Sequence, residues 1–296
     1  MKVRIGFGLG NLRPADGETL GAVAAALEDL GYDSLWCSER IGGPAPDPVL
    51  ALAYAAARTR RIKLGTSISV LPGRPPAVVA KEWASLDLLS GGRALPAFGL
   101  GVAAPTEQQA FGVAREDRAS IFDEALPLVR RLWTEDEVVH HGRWFTYDGV
   151  TVRPRPTAPL DVWLGGRAPA ELRRAGRLAD GWLASFTTPA DCAAGRVTVD
   201  AAAAEAGRAI DPEHFGAMVF YGPGSVPETL AAAIRTRNPG REPAELVANG
   251  WAAVRERCEE YVAVGFSKLV LVPVHEPADW VAELNAGAEA VLDLQT

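Results

Sequence analysis

Residues 3–37, VRIGFGLGNLRPADGETLGAVAAALEDLGYDSLWC, contain the pattern that decides the fold. The apolar run at 3–9 predicts a buried strand, and Ala, Val and Leu at helical spacing predict a helix over 17–30. A second apolar run at 32–37 predicts the next strand. Four predicted strands begin in this way near residues 3, 32, 62 and 94. A step of about 30 residues is the length of one strand–helix unit of a parallel sheet.

The second half of the chain continues the alternation with two interruptions. Residues 134–159 hold short β-prone pieces that predict a hairpin insertion, and 222–243 form an excursion rich in Pro and Gly before a helix predicted at 244–264. The remaining strands are predicted at 160–164, 181–185, 215–221 and 267–272. Eight strand–helix units favour an α/β fold, a (β/α)8 TIM barrel with insertions at the C-terminal mouth, in a single domain over 1–296.

A doubly wound dinucleotide-binding fold is the alternative to the barrel. It requires a G-x-G-x-x-G sequence opening the first helix, and the nearest candidate, GFGLG at 6–10, lacks that spacing. The absence of a change in composition at the centre of the chain also favours one barrel over two halves.

Composition and charge exclude several classes of function. The chain has 48% hydrophobic residues and a net charge of −7, which argues against a nucleic-acid-binding or polybasic membrane surface. No apolar run reaches the roughly 18 residues of a transmembrane helix, and the N-terminus lacks the pattern of a signal peptide. The three cysteines have no metal-ligand spacing. We therefore expect a cytoplasmic protein without a metal site, a nucleic-acid partner or a membrane partner.

The glycine pair after the fifth predicted strand is the clearest local signal for a binding site. Active sites of (β/α)8 barrels lie at the C-terminal ends of the strands. Here Gly165 and Gly166 allow close backbone approach, the following helix presents amides to an anion, and Arg167 can contact a phosphate. An ordinary turn would use the same glycines.

Two other strand ends carry candidate site residues. Glu39 and Arg40 follow the second strand and could serve acid–base or substrate-binding roles, or form a salt bridge at the rim. Gly99 and Gly101 follow the fourth strand, where they would let a flat ligand approach the backbone or make a turn.

Several motifs in this order resemble those of the bacterial luciferase-like monooxygenase superfamily, especially the branch that uses the deazaflavin coenzyme F420. The resemblance covers nearly the whole chain, and the joint order of the motifs is more specific than any one of them. The motifs are LW-x-x-E at 35–39, LGTS at 64–67, LSGGR at 89–93, FGLG at 98–101, WLGG at 163–166, ADGW at 179–182 and AGR at 206–208.

The resemblance implies a flavin or deazaflavin at the mouth of a TIM barrel. In relatives a cis peptide bond in the third strand, here Ser67–Ile68, supports the central ring of the cofactor. Relatives bind the cofactor phosphate at the turn that matches Gly165 and Gly166. A second phosphate-contacting loop matches Ser185 to Thr188.

Three departures from the family pattern bear on the substrate. Many relatives have a catalytic His where this chain has Arg40. Several sugar-phosphate dehydrogenases of the branch have a Glu where this chain has Val102. A Lys of the phosphate loop after the sixth strand is replaced here by Thr188. These differences count against glucose-6-phosphate oxidation but leave hydride transfer intact, because the cofactor supplies that chemistry.

The sequence thus supports three hypotheses of function. The first is an oxidoreductase that uses coenzyme F420 to transfer hydride to or from a small-molecule substrate. The second is an FMN-dependent monooxygenase that uses O2 and receives reduced flavin from a separate reductase. The third is a non-catalytic flavin-binding protein. A homodimer is compatible with all three.

Overall fold

Eight parallel strands form a ring in the computed structural model, which describes residues 1–10, 12 and 16–296. The strands are Arg4–Gly8, Ser34–Cys37, Lys63–Thr66 with Ser69–Val70, Ala94–Leu95 with Ala97–Gly99, Trp163–Gly165, Gly181–Ala184, Phe215–Gly222 and Lys268–Pro273. The third and fourth strands are each interrupted, and both pieces of the third pair with those of the fourth. The first strand pairs with the second and with the eighth, which closes the ring. The predicted (β/α)8 barrel is confirmed.

Helices follow the strands and pack around the ring. They are Gly17–Leu30, Pro48–Arg58, Pro76–Ser90, Arg118–Thr134, Pro169–Leu178, Pro189–Glu205, Gly250–Ala263 and Trp280–Val291, with Pro105–Phe111, Glu228–Arg237 and Pro243–Leu246 in the connections. In the described ranges, no helix has both the length and the apolar character needed to cross a membrane.

The first helix shows how local sequence sets the bounds of an element. The side chain of Asp16 accepts a hydrogen bond from the amide of Thr19 at 2.8 Å and caps the start of Gly17–Leu30. Gly31 ends the helix with a φ of +89°, a left-handed conformation that suits glycine. Its buried residues, Leu20, Gly21, Val23, Ala24 and Leu27, recur at helical spacing.

The prediction of one helix over 244–264 is wrong at its start. A single turn, Pro243–Leu246, is followed by a strand, Val247–Asn249, that pairs in parallel with the C-terminal end of the seventh barrel strand. The helix begins only at Gly250, whose φ of +80° separates it from the strand. Tertiary pairing therefore overrides the helical pattern at these residues.

Two helices lie in segments for which no helix was predicted. Pro105–Phe111 is a short helix between the fourth strand and the helix Arg118–Thr134. Glu228–Arg237 is a helix within the 222–243 excursion. The second of these contributes to the mouth of the barrel, as described below.

The LSGGR motif at 89–93 has a structural role. The buried guanidinium of Arg93 donates hydrogen bonds of 2.8–3.1 Å to the carbonyl oxygens of Ala56, Thr59 and Ile62 and to the Thr59 hydroxyl. These contacts join the end of the second helix to the start of the third strand. An arginine suits this position because its guanidinium offers five N–H donors in a fixed plane.

The β-prone residues after the helix Arg118–Thr134 form an antiparallel hairpin outside the barrel, as predicted. Its strands are Val138–His141 and Thr146–Val150. Glu124 anchors the hairpin, because its carboxylate hydrogen-bonds the ring of His140 and the three consecutive amides of residues 143–145 at 3.0–3.2 Å. The adjacent His141 pairs with a different carboxylate, so the two histidines do not share a site.

The three cysteines are buried in the core. Cys37, Cys192 and Cys258 are free thiols with at most 4% of their surface exposed. Burial raises the pKa of each thiol to about 12. All three are therefore protonated at neutral pH.

The Glu124 anchor predicts an acid-dependent loss of stability. Burial alone would raise the pKa of Glu124, but hydrogen bonds from His140, Phe145 and Trp144 outweigh it and lower this pKa. A lowered carboxyl pKa contributes stability above the ordinary value near 4.5, and that stability is lost as the pH falls through the folded-state value. We expect Glu124→Gln to reduce the free energy of unfolding by about 1–3 kcal/mol at pH 7.

Urea unfolding of both proteins at pH 7 and pH 3 measures this effect. The difference between them should shrink at the lower pH, because wild-type Glu124 is then being protonated as well. Glu135→Gln, at the C-terminal cap of the helix that carries Glu124, is the control, since the exposed pairing of Glu135 with Arg131 should contribute about 0–1 kcal/mol. If the difference in the free energy of unfolding between wild type and Glu124→Gln is the same at both pH values, the stabilising role given to the Glu124 carboxylate is wrong.

Candidate active site

A cavity of about 1040 Å3 opens at the C-terminal ends of the barrel strands. That volume is at the upper end of the range for cofactor and ligand sites. Ten of the eleven predicted site residues line it: Glu39, Arg40, Ser67, Ile68, Gly99, Gly101, Gly165, Gly166, Arg167 and Ser185. The barrel thus brings together residues that are up to 146 positions apart in the chain.

Thr188 is the predicted site residue that does not line this cavity. It caps the helix Pro189–Glu205: its hydroxyl accepts from the amide of Asp191, and its own amide and hydroxyl donate to the Asp191 carboxylate at 3.0 and 2.8 Å. A contact between Thr188 and a cofactor phosphate stays a prediction, and it would have to displace this cap.

The floor of the cavity is formed where Ile68 approaches two glycines on neighbouring strands. The Ser67–Ile68 peptide bond is cis, as the resemblance predicts. A Cβ placed on Gly99 would overlap the Cδ1 of Ile68, and one placed on Gly165 would lie 3.1 Å from its Cγ2. Glycine is therefore favoured on both strands, and more strongly on the fourth, where any Cβ would force the Ile68 side chain to move.

Residues at the end of the second strand form hydrogen bonds with the Ser67–Ile68 segment and with Val70 beside it. The Ser38 hydroxyl donates to the Ser67 carbonyl oxygen at 3.0 Å, and the Glu39 amide donates to the Ile68 carbonyl oxygen at 3.3 Å. The carboxylate of Glu39 also accepts from the amide of Val70 at 2.6 Å. The Ser67–Ile68 segment is thus hydrogen-bonded on both of its flanks.

The predicted alternative of a Glu39–Arg40 salt bridge is wrong about the partner. Glu39 pairs with Arg74, and its side chain is only 2% exposed. Burial raises the pKa of Glu39, although the Val70 amide and the Arg74 guanidinium partly offset that effect. Both oxygens of Glu39 are therefore committed within the protein, which favours a positioning role.

The turn after the fifth strand is shaped by a glutamate on the next helix. One carboxylate oxygen of Glu171 accepts from the amides of Arg167 and Ala168 at 2.9 and 3.0 Å. The guanidinium of Arg167 donates to the side-chain oxygen of Asn238. An anion that approached this helix N-terminus would compete with Glu171 for the two amides.

Residues of the ADGW and AGR motifs form hydrogen bonds that stabilise the fifth strand and the turn after it. Asp180 accepts hydrogen bonds from the Val162 amide at 2.9 Å and from the guanidiniums of Arg130 and Arg208 at 2.6 and 3.1 Å. The indole of Trp182 donates to the carbonyl oxygen of Gly166 at 2.8 Å. Motifs separated along the sequence therefore fix one edge of the cavity together.

A family model described as luciferase-like monooxygenase matches residues 6–260. The chain belongs to the luciferase-like monooxygenase family. The resemblance found in the motifs is confirmed, and the matched region includes all of the predicted site residues.

Two curated relatives in this family are named F420-dependent glucose-6-phosphate dehydrogenase. The protein from Kineococcus radiotolerans is 32% identical over 174 residues, which is 55% of this chain and 51% of that protein. The chain therefore spans about half the length of that relative. The protein from Beutenbergia cavernae is 28% identical over 311 aligned positions, which cover 92% of this chain and 91% of that protein.

Solved structures share the fold at lower identity. An F420-dependent secondary alcohol dehydrogenase in complex with an F420–acetone adduct has a TM-score of 0.82 at 19% identity, covering 100% of both chains. The FMN-bound oxygenating constituent of 3,6-diketocamphane monooxygenase from Pseudomonas putida has a TM-score of 0.77 at 18% identity, covering 100% of this chain and 99% of that one. These likenesses show that the chain shares its fold with both enzymes.

Sequence reasoning missed the residue that supports the loop after the fourth strand. Arg118, 8% exposed, donates from one guanidinium nitrogen to the carbonyl oxygens of Leu100, Gly101 and Val102 at 3.0–3.3 Å. Its targets are backbone atoms, so no side-chain motif marks the interaction.

Two aromatic residues were missed as well. Phe186 and Phe220 line the cavity and stack with their ring centroids 3.9 Å apart and their planes within 7° of parallel. Phe186 has a φ of +52°, which is uncommon outside glycine, and it directly follows the predicted contact Ser185. That adjacency was the signal available in the sequence.

We expect Arg118→Met to destabilise this luciferase-like protein. The methionine keeps much of the side-chain volume but leaves the three loop carbonyls without their donor. An unsatisfied buried polar group costs about 1–3 kcal/mol, and we expect a loss in that range in the free energy of unfolding. Urea unfolding measures it, with the exposed Arg173→Met on a neighbouring helix as control. Equal stability of the two variants would refute the role given to Arg118.

Proposed function

We propose that this protein is an oxidoreductase that uses coenzyme F420 to transfer hydride to or from a small organic substrate. The observation that carries the proposal is the cavity floor, where Ile68, Gly99 and Gly165 from three adjacent strands meet at the mouth of the barrel. A relative matched over nearly its whole length is named as F420-dependent. Because both neighbours are glycine, the Ile68 side chain packs close to the backbone, and the floor that results suits a flat ring.

The residues present fit such a cofactor. We assign Ser67, Ile68 and Gly99 to the ring, and the turn of Gly165 and Gly166 to the phosphate. Gly101, Arg167 and Ser185 line the same cavity and complete the proposed cofactor contacts, and Thr188 is retained as a candidate in the adjacent loop. When bound, the deazaflavin supplies a ring carbon that gives or accepts hydride.

The chain's own residues orient the reactants in this proposal. Glu39 acts as a positioning residue, because it binds the Val70 amide and Arg74 and so holds the segment under the ring. Arg40 lines the cavity where many relatives have a catalytic His. A guanidinium stays protonated at neutral pH, so Arg40 would bind an anionic group instead of accepting a proton.

The substrate of the glucose-6-phosphate dehydrogenases is not carried over to this chain. Arg40 replaces the His of many relatives, Val102 replaces a Glu of several sugar-phosphate dehydrogenases, and Thr188 replaces a Lys of the phosphate loop. In the structure Thr188 caps a helix. We therefore propose a different small molecule as substrate.

We also propose a cytoplasmic location. Whether the protein works as a homodimer is a separate proposal that its oligomeric state in solution would test.

An FMN-dependent monooxygenase is the second candidate. The observation in its favour is that an FMN-bound monooxygenase has the same barrel. That activity would require O2 and reduced flavin from a separate reductase. A non-catalytic flavin-binding protein would bind a cofactor and show no turnover in either assay.

Titration of the purified protein with F420 and with FMN, followed by fluorescence, tests the proposal. We expect F420 to bind more tightly than FMN. Gly165→Ala should weaken F420 binding by about tenfold to hundredfold, because the added methyl group crowds Ile68 on the floor and the turn assigned to the phosphate. Gly17→Ala is the matched control, since its Cβ meets only the hydroxyl of Tyr54 at 3.8 Å and the adjacent ring carbon at 3.9 Å, and Gly17 lies outside the cavity.

Gly165 is a better test position than Gly166. Gly166 has a φ of +116°, and a Cβ there would lie 2.6 Å from the Cβ of Glu171, so any side chain would strain the turn with or without a cofactor. Circular dichroism must show that Gly165→Ala is folded. Tighter binding of FMN than of F420 would favour the monooxygenase. If neither cofactor binds, the proposal of an F420-dependent oxidoreductase is wrong.

A further inference from the structure

The charge inside the cavity is opposite to that of the whole protein. Although the chain carries a net charge of −7, five arginines line the cavity: Arg40, Arg115, Arg167, Arg174 and Arg237. Among the described lining residues, the carboxylates belong to Glu39 and Glu171, and both are engaged elsewhere. Glu39 binds Arg74, and Glu171 binds two backbone amides.

Among the described residues, three of these arginines have no partner for their guanidiniums. Arg174 pairs with Asp123 at 2.5 Å, and Arg167 binds the neutral side chain of Asn238. In the part of the chain that the structure describes, Arg40, Arg115 and Arg237 make neither a side-chain hydrogen bond nor an ion pair within 4.0 Å. Desolvation lowers the pKa of Arg237, and repulsion by the guanidiniums of Arg40 and Arg167 lowers it further.

Arg237 reaches the cavity from the helix Glu228–Arg237 of the excursion. The face formed by Thr229, Leu230, Ala233 and Arg237 lines the mouth of the barrel. Arg235 on the same helix instead pairs with Glu228 at 3.1 Å and does not line the cavity. The helix therefore places one unpaired cation over the mouth, while Arg40 supplies another from the end of the second strand.

We propose that Arg40 and Arg237 together bind an oxyanion, a carboxylate or phosphate group, of the substrate. Like charges repel, and an anion between them would remove that cost while accepting charge-assisted hydrogen bonds from both guanidiniums. The positive cavity of an acidic protein would also attract anions selectively. This inference rests on the proposed function, because the phosphate of the cofactor is assigned to the turn at Gly165 and Gly166.

Calorimetric titration of F420-saturated protein with inorganic phosphate tests the site. Phosphate should bind to the wild-type complex without releasing F420. Arg40→Gln and Arg237→Gln should each weaken phosphate binding by about tenfold to hundredfold and leave F420 affinity unchanged. Arg235→Gln, on the same helix but outside the cavity, should bind phosphate like the wild type.

The outcomes separate this inference from the proposed function. Absence of phosphate binding, or equal binding by all four proteins, would overturn the inference while leaving F420 binding intact. Displacement of F420 by phosphate, or loss of F420 affinity in either cavity variant, would assign the two arginines to the cofactor and overturn the substrate assignment. If the protein binds FMN and not F420, the proposed function is wrong. Titration of the FMN complex with inorganic phosphate would then show whether Arg40 and Arg237 bind an oxyanion.

Discussion

The active-site cavity depends on one steric constraint, the packing of the Ile68 side chain against backbone that carries no Cβ. Gly99 and Gly165 provide that backbone on the two strands that follow in the ring, and a larger residue at Gly99 would push Ile68 away. Ser38 and Glu39 hold the same segment by hydrogen bonds from the second strand. Residues of four consecutive strands thus contact Ile68 or the segment that carries it, and these contacts determine the shape of the cavity floor.

Much of the barrel was predictable because its signals are local. Apolar runs, helical spacing and capping residues such as Asp16 and Gly31 act over a few positions, and they recur at a step of about 30 residues. The rule that barrel sites lie at strand ends then selected the glycine turns. The cis bond at Ser67–Ile68 came instead from the family resemblance, since nothing in those two residue types requires it.

The partners of the site residues were not predictable, because the fold determines them. Glu39 bonds to Arg74, 35 positions away, and not to its neighbour Arg40. Arg118 recognises backbone carbonyls, which leave no mark in the side-chain pattern. Arg237 enters the cavity only because a segment with the composition of a connection forms a helix over the mouth. In each case the sequence shows the charged side chain, while the groups around it depend on tertiary placement.

The burial of the native thiols has a practical consequence for work on the mouth of the barrel. A thiol-directed reagent attacks the thiolate, and burial keeps Cys37, Cys192 and Cys258 protonated and out of contact with such reagents. A cysteine introduced on the solvent side of the helix Glu228–Arg237 would therefore be labelled selectively in the folded protein. A fluorophore placed there could follow the mouth of the barrel in solution, with the three native cysteines left unchanged.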